Sequence, residues 1–225
     1  AAILFEGPNY QDWSATHVAL KGDRARVRIY PVHAGAGAEL RDSIINAARR
    51  EYSILEGIRH PGILKPRSYT DTERGPALIF EHSEQSQRFD HYLSEQLGSL
   101  TVDQRLHLLR QIAETVRYAH QRGLIHRSLS PQSILVVDPR ATEPVLQILN
   151  WQTAAREPGT TWSTRLEVSA TSHVDRLIEE ASAIYMAPEA LAEAGSISEE
   201  MDACSQGALG YQLLSGKLPA SNCCD

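Results

Sequence analysis

An α+β fold is predicted, with strands gathered in the first third of the chain and helices dominating the rest. Three features carry that prediction. Two alternating apolar runs flank the turn Lys21-Gly22-Asp23. Two apolar stripes at helical spacing lie at residues 39–57 and 101–123. A last helical segment, residues 199–215, follows a long stretch with little periodicity.

In chain order, residues 14–20 and 24–30 read as a hairpin about that turn. Over 39–57, Leu40, Ile44, Ala48, Glu51 and Leu55 fall on one helical face. Residues 76–82 carry Ala77-Leu78-Ile79-Phe80, which suits a buried strand. The polar stretch 82–88 reads as a linker. Thr101 opens the second helix with Asp103 in its first turn, and Gly123 closes it. Its stripe is Leu106, Leu109, Ile112, Val116 and Ala119. Residues 134–137 and 145–149 flank the turn-rich 138–144 and read as a second hairpin. On the last helix Cys204, Ala208 and Tyr211 share a face, and Cys204 reads as a core position. There is no internal repeat.

The chain has 225 residues, enough for one two-lobed domain or two small ones. Hydrophobic residues at 42% and charged residues at 22% are ordinary for a globular protein. A net charge of −6 offers no general attraction to nucleic acid or anionic lipid, so neither is expected as a partner. No apolar run approaches a membrane span, and no signal peptide is read. The opening Ala1-Ala2-Ile3-Leu4-Phe5 lacks an initiator Met, so a piece of something longer is expected. Three cysteines without spaced pairs (Cys204, Cys223, Cys224) argue against a disulfide framework and fit a reducing cytoplasm. The histidines show no metal-ligand spacing, so no metal site is expected.

The element order, with its short motifs, resembles a protein kinase. His126-Arg127-Ser128-Leu129-Ser130-Pro131-Gln132-Ser133-Ile134-Leu135-Val136 is similar to the catalytic loop H-R-D-L-x-P-x-N-I-L-V and follows the long helix, as that loop does. Asn150-Trp151-Gln152 falls where D-F-G belongs. Ala187-Pro188-Glu189 matches A-P-E, and the stretch from Asp202 to Pro219 is similar to the segment that follows it in kinases. Arg50-Glu51-Tyr52-Ser53-Ile54-Leu55, then Arg59-His60-Pro61, resembles the end of the kinase regulatory helix. The resemblance spans roughly 13–220. It implies a two-lobed fold: a small β lobe with one helix over 1–82, a hinge at 83–88, and a mainly helical large lobe over 89–225. That lobe stops short of the family's last helices, so Glu189 is expected to lack its usual arginine partner. An apolar underside is expected to be exposed or covered by another chain.

Kinase phosphoryl transfer is mostly positioning and electrostatic stabilisation. The resemblance implies that Ser128 stands at the catalytic base, Ser133 at the asparagine metal ligand and Asn150 at the D-F-G aspartate. A serine hydroxyl cannot do a carboxylate's proton work near neutral pH. Magnesium prefers hard, charged oxygens, and these positions offer none. No catalytic residue is therefore expected. His126 and Arg127 are retained. In kinases such an arginine can read a phosphate on the activation segment, where Thr160, Thr161, Ser163 and Thr164 cluster. An unmodified loop is the simpler reading.

The nucleotide pocket also departs from the family. Arg24, Arg26 and Arg28 share one strand face. If Ala25-Arg26-Val27-Arg28 stands for V-A-I-K, Arg28 replaces the lysine and Arg26 the small alanine over adenine, which is not a neutral exchange. The alternative is a solvated arginine face. Near Glu6-Gly7-Pro8-Asn9-Tyr10 there is one glycine where kinases have three. Glu51 lies on the apolar face of its helix, so a buried pair with Arg28 is expected, the alternative being a Glu51 that reaches solvent. Phe80 and Glu81 complete the pocket's remnants. Trp151, bulkier than the phenylalanine it replaces, is expected to fill part of the nucleotide site.

Three functions compete. The first is a pseudokinase that works by protein binding or allostery, with no cofactor required and ATP binding weak. The strand Arg26–Val32 and the Trp13 region resemble kinase-like modules of bacterial phage-defence proteins, so a bacterial multidomain setting is expected. The second is an atypical Ser/Thr kinase or ATP-dependent transferase that recruits Asp138 or Glu81. The third is a domain that complements a working kinase elsewhere in its own polypeptide.

Overall fold

The computed structural model describes residues 2–17, 22, 24–33, 35–156, 179–191 and 197–220. The N-terminal part is one antiparallel sheet with a helix against it. Its strands are β1 (Ala2–Glu6), β2 (Gln11–Thr16), β3 (Arg24–Ile29), β4 (Pro66–Thr72) and β5 (Gly75–Glu81), in the spatial order β1-β2-β3-β5-β4. Between β3 and β4 runs α1 (Ala38–Ile54). Next come the short β6 (Gln87–Arg88), then α2 (Phe89–Gln96), α3 (Val102–His120), β7 (Leu124–Ile125), the hairpin β8 (Ile134–Val136) and β9 (Leu146–Ile148), and β10 (Ala155–Arg156). The chain closes with α4 (Pro188–Leu191) and α5 (Glu199–Ser215). A sheet-rich N-lobe over a helical C-lobe is thus observed.

Both hairpins form. The first has a longer connection than the three-residue turn suggested. β2 ends at Thr16 and β3 starts at Arg24, which brings Asp12, and not a residue nearer the turn, opposite Arg28. The strands β1 and β4 and the helix α2 went unread. In β4, Arg67, Asp71 and Thr72 are exposed on the sheet edge, so it carries little apolar alternation.

The helix faces need correction at their ends. In α1 the buried residues start only at Ala48, with Glu51 and Ile54 following, while Leu40 is 50% exposed. In α3 the stripe begins at Leu108, continues through Ile112, Thr115, Val116 and Ala119, and leaves Leu106 46% exposed. Thr101 caps that helix: its hydroxyl accepts the Gln104 N–H at 3.2 Å, and the Gln104 side chain accepts the Thr101 N–H at 2.9 Å. On α5 the expected core face is wrong. Cys204 is exposed, and the buried side is Met201, Asp202, Ser205, Leu209 and Leu213. That helix carries apolar residues on several sides, so hydrophobicity alone does not phase it. Tyr211 and Leu214 remain half exposed.

Among the described residues there are three buried clusters, a small one of Met186, Ala187, Ala190 and Met201 and two larger ones that hold the lobes. Of these two, the larger joins Leu108, Ile112 and Val116 of α3 to Leu209 and Leu213 of α5, with Trp151 and Leu55 inside. The smaller belongs to the sheet, with Tyr10, Tyr30, Ala48, Leu78 and Phe80, and it takes in Leu135 and Leu149 from the other lobe. Apolar packing therefore continues across the cleft between them. No helix among the described residues is long and apolar enough to cross a membrane.

Candidate functional site

The cleft between the lobes is floored by the segment from His126 to Thr153. Its anchor is Asp202 on α5, which is fully buried. The Asp202 carboxylate accepts the backbone N–H of His126 and of Arg127, each at 2.8 Å, and lies 2.9 Å from the His120 ring. These bonds hold Arg127 at φ 72°, in the left-handed region. His126 stacks edge-on against Trp151 at 4.6 Å, and its Nε2 lies 2.9 Å from the Leu149 carbonyl oxygen. Burial pushes the His126 pKa down, so the ring is neutral.

Ser128, Ser133 and Asn150 all lie buried in this floor segment. Each is already committed to the fold. Thr153 donates its hydroxyl proton to the His126 carbonyl at 3.1 Å, so Ser128, 2.6 Å away, donates to Thr153. The Ser133 hydroxyl donates to the Ser130 carbonyl and accepts the Ser130 N–H, both at 2.9 Å. Asn150, at φ 66°, donates to the Gln132 carbonyl at 3.3 Å and accepts the Tyr10 phenol at 3.3 Å. This donor set is two hydroxyls and an amide, without a carboxylate. It does not fit a magnesium ion, which demands charged oxygens around an octahedron. Among the described residues no group of three or more His, Cys, Asp or Glu side chains is placed to hold a metal.

The roof is the β2–β3–β5 face. Arg28 is fully buried and makes a bidentate pair with Asp12, Nε to Oδ1 at 2.8 Å and Nη2 to Oδ2 at 2.9 Å. Its Nη1 donates to Glu51 at 2.9 Å, so the expected Arg28–Glu51 pair forms. Tyr30 donates its phenol to the other Glu51 oxygen. Arg26, 6% exposed, lies 3.6 Å from Asp12, and its Nε has no hydrogen-bond partner among the described residues. A solvated arginine face is excluded at both positions. Burial alone would raise the Asp12 pKa, but the Arg28 charge, with Arg26 and Arg88 behind it, holds it below the usual range. Burial opposes the Arg28 charge, and Asp12 and Glu51 more than reverse this, so Arg28 is held well above its ordinary pKa.

One expectation fails here, and two carboxylates weighed for recruitment are bonded elsewhere. Trp151 does not enter the nucleotide site. It is fully buried in the C-lobe cluster, its indole N–H donating to the Ile148 carbonyl at 3.1 Å. Glu81 points away and pairs with Arg67 at 2.7 Å on the surface. Asp138, the other carboxylate considered for recruitment, is exposed and accepts the Arg140 N–H. Phe80 is buried as expected, 5.6 Å from the Arg28 guanidinium. Glu189 is exposed on α4.

Tyr10, Asp12, Arg88 and Glu179 were not anticipated. Arg88 lies over the Phe5 ring at 4.0 Å, pairs with Asp90, and pairs with Glu179 at 3.2 Å. Burial pushes the Glu179 pKa up against the pull of Arg88. Arg127 reaches the Thr153 carbonyl at 3.4 Å, and its Nε has no hydrogen-bond partner among the described residues. Arg50 donates to the Ala154 carbonyl at 2.8 Å, and burial, then the Arg127 charge, pushes its pKa down to about 10. The cluster of Thr160, Thr161, Ser163 and Thr164, and Cys223 and Cys224, lie outside the described residues.

The five-stranded lobe, the helix tied to it through Glu51, and the loop anchored on Asp202 have a counterpart in known sequences. A model of the protein kinase domain matches residues 36–224. The chain belongs to the protein kinase family. This kinase domain is 37% identical over 236 residues to the probable kinase PglW of Streptomyces coelicolor, a match that covers 96% of the chain and 15% of that protein. It is 26% identical over 182 residues to CBL-interacting protein kinase 9 of Oryza sativa, covering 80% of the chain and 36% of that protein. It is 27% identical over 175 residues to calcium-dependent protein kinase 5 of Plasmodium berghei, covering 78% and 28%. The kinase domain described here thus spans well under half the length of each of these relatives.

Proposed function

We propose that this kinase domain is a pseudokinase module that works by binding a protein partner or other domains of its own polypeptide, without phosphotransfer. One observation carries the reading. The three positions that resemble the catalytic aspartate and the two metal ligands are Ser128, Ser133 and Asn150, and each is spent on an internal hydrogen bond. Losing the base alone removes a rate factor of about 10²–10⁴. Losing both metal ligands removes the charge that phosphoryl transfer relies on most. Exposed Asp138 and Glu81, bonded elsewhere, give the atypical-kinase alternative little support. A reducing cytoplasm and a bacterial multidomain protein fit this reading. In such a protein, phosphotransfer would belong to a second kinase-like segment.

The test is a radiolabelled phosphotransfer assay with magnesium and with manganese, using a generic acceptor and the chain itself. No incorporation above a no-protein blank is expected. Turnover that disappears in Asp138→Asn or Glu81→Gln would overturn the proposal. Restoring Ser128→Asp alone is expected to yield no activity, since the metal positions remain neutral.

A further inference from the structure

The cleft is filled by the chain's own residues. Gly7 donates its N–H to the Tyr10 carbonyl at 2.9 Å and closes a tight turn between β1 and β2. From that turn the Tyr10 ring enters the cleft and becomes 2% exposed. It lies on the Arg28 guanidinium, 3.9 Å from ring centre to the central carbon, at the distance of a cation–π contact. The Phe5 and Tyr30 rings sit 5.9 Å and 6.2 Å from it. Its phenol crosses to the other lobe and donates to Asn150. A Cβ on Gly7 would stand 2.7 Å from the Tyr10 ring, so this glycine makes room for the ring. Leu135 and Leu149 of the lower lobe pack in the same cluster.

Charge adds to the steric argument. Around the ring stand the guanidinium groups of Arg26, Arg28 and Arg88 and the carboxylates of Asp12, Glu51 and Glu179, three cations against three anions. The Arg28 fork is occupied on both sides by carboxylates. An arriving phosphate would meet an Arg28 guanidinium covered by the ring and already matched by Asp12 and Glu51, and the Arg26 Nε, without a hydrogen-bond partner among the described residues, is the donor left to receive it once the ring is gone. A groove of about 990 Å³ opens elsewhere, along Leu93, Leu97, Arg105 and Tyr185, and none of Tyr10, Arg26, Arg28 or Asn150 lines it.

We propose that Tyr10 is an internal stopper: it occupies the phosphate end of the nucleotide cleft, clamps the two lobes through Asn150, and excludes nucleotides until it leaves. The inference rests on the reading of this cleft as a non-catalytic kinase site. Its test reads binding, not turnover, so the two fail separately. Isothermal titration with ADP and with ATP, without metal, compares wild type with Tyr10→Phe and Tyr10→Ala. Wild type and Tyr10→Phe should give no heat of binding at millimolar nucleotide, because the ring alone fills the space. Tyr10→Ala should bind ADP at least tenfold more tightly than either. Nucleotide binding by wild type, or a cooperatively folded Tyr10→Ala that binds none, overturns the stopper while leaving absent phosphotransfer untouched. Conversely, turnover by Tyr10→Ala would refute the non-catalytic reading and keep the stopper.

A second measurement needs no variant. Under tetranitromethane, Tyr211 and Tyr52, 50% and 39% exposed, should be nitrated while Tyr10 is spared. Nitration of Tyr10 at the rate of Tyr211, read by peptide mass spectrometry, would overturn the proposal.

Discussion

The loop anchor at Asp202 and the cleft above it are both built on buried carboxylates, yet they serve different kinds of donor. At Asp202 the donors include two backbone N–H groups, those of His126 and Arg127, fixed wherever the loop goes. In the cleft the donors are side chains, Arg28 and Tyr30, facing Asp12 and Glu51. Backbone donors must be satisfied in any protein that keeps this loop. Side-chain pairs can be exchanged as a set. The anchor is held by one carboxylate and the backbone, whereas the cleft is held by an interlocked set of Asp12, Arg28, Tyr30 and Glu51 side chains. The anchor and the cleft therefore place their demands on different atoms, the first on backbone groups and the second on side chains that can be exchanged together.

The sharpest way to break this comparison is to remove one group from each region. Asp202→Ala strands two buried backbone donors and should cost about 3–5 kcal/mol. No companion side-chain exchange should recover it, because only proline removes a backbone N–H and its ring cannot adopt the φ of 72° at Arg127. Arg28→Met leaves Asp12 and Glu51 buried without their cation and should also cost about 3–5 kcal/mol. Here the fourfold variant Asp12→Leu, Arg26→Leu, Arg28→Met, Glu51→Leu should recover most of the loss. A residue of about 1 kcal/mol remains for the stranded Tyr30 phenol. Urea midpoints at constant slope read all three. A fourfold variant no more stable than Arg28→Met would show that the cleft network is as indispensable to the fold as the anchor.

That contrast also explains what the sequence made legible. The loop His126–Val136 and the helix Glu199–Ser215 could be read because residue order there tracks structure: a motif follows a capped helix, and another helix ends at Gly216. The Arg28–Glu51 pair was legible from a carboxylate on an apolar helix face. Tyr10 was not, because its partner Asn150 lies 140 residues away and no periodicity links them. Asp12 was hidden by register. A hairpin centred on Gly22 would place residue 16 opposite Arg28, whereas the longer connection places Asp12 there. Size alone does not place Trp151, because its indole N–H needs an acceptor and finds the Ile148 carbonyl.

A smaller effect sharpens the comparison through pH. His126 sits on the anchor side with its pKa pushed down by burial. The unfolded chain therefore takes the proton first as pH falls. His126's contribution is complete above about pH 6.5 and declines below it. Asp12, on the cleft side, is depressed as well, and its contribution begins to fall only below about pH 4. Acid should thus loosen the anchor before the cleft. His60 and His82 share the sign of His126, and Glu179 runs the other way, so the difference between wild type and His126→Gln isolates the His126 part. Stability measured at several pH values between 7.5 and 5.0 should fall less steeply in His126→Gln. Equal slopes would mean that His126 titrates alike in both states.

The smallest effect tests whether the two regions are mechanically joined. Tyr10 and Asn150 meet at 3.3 Å, a long neutral hydrogen bond, and it crosses from the sheet to the floor of the cleft. Tyr10→Phe keeps the ring on Arg28 and removes only that bond. Asn150→Ala removes it from the other side and also frees the Gln132 carbonyl. Each single variant carries its own side effects, so only the cycle is informative. A coupling of about 0.5–1.5 kcal/mol is expected. Hydrogen exchange should show faster opening of residues 7–10 in both single variants and no further gain in the double. If the coupling is zero and the loop opens independently of Asn150, Tyr10 fills the cleft by packing alone, and the lobes move without regard to one another.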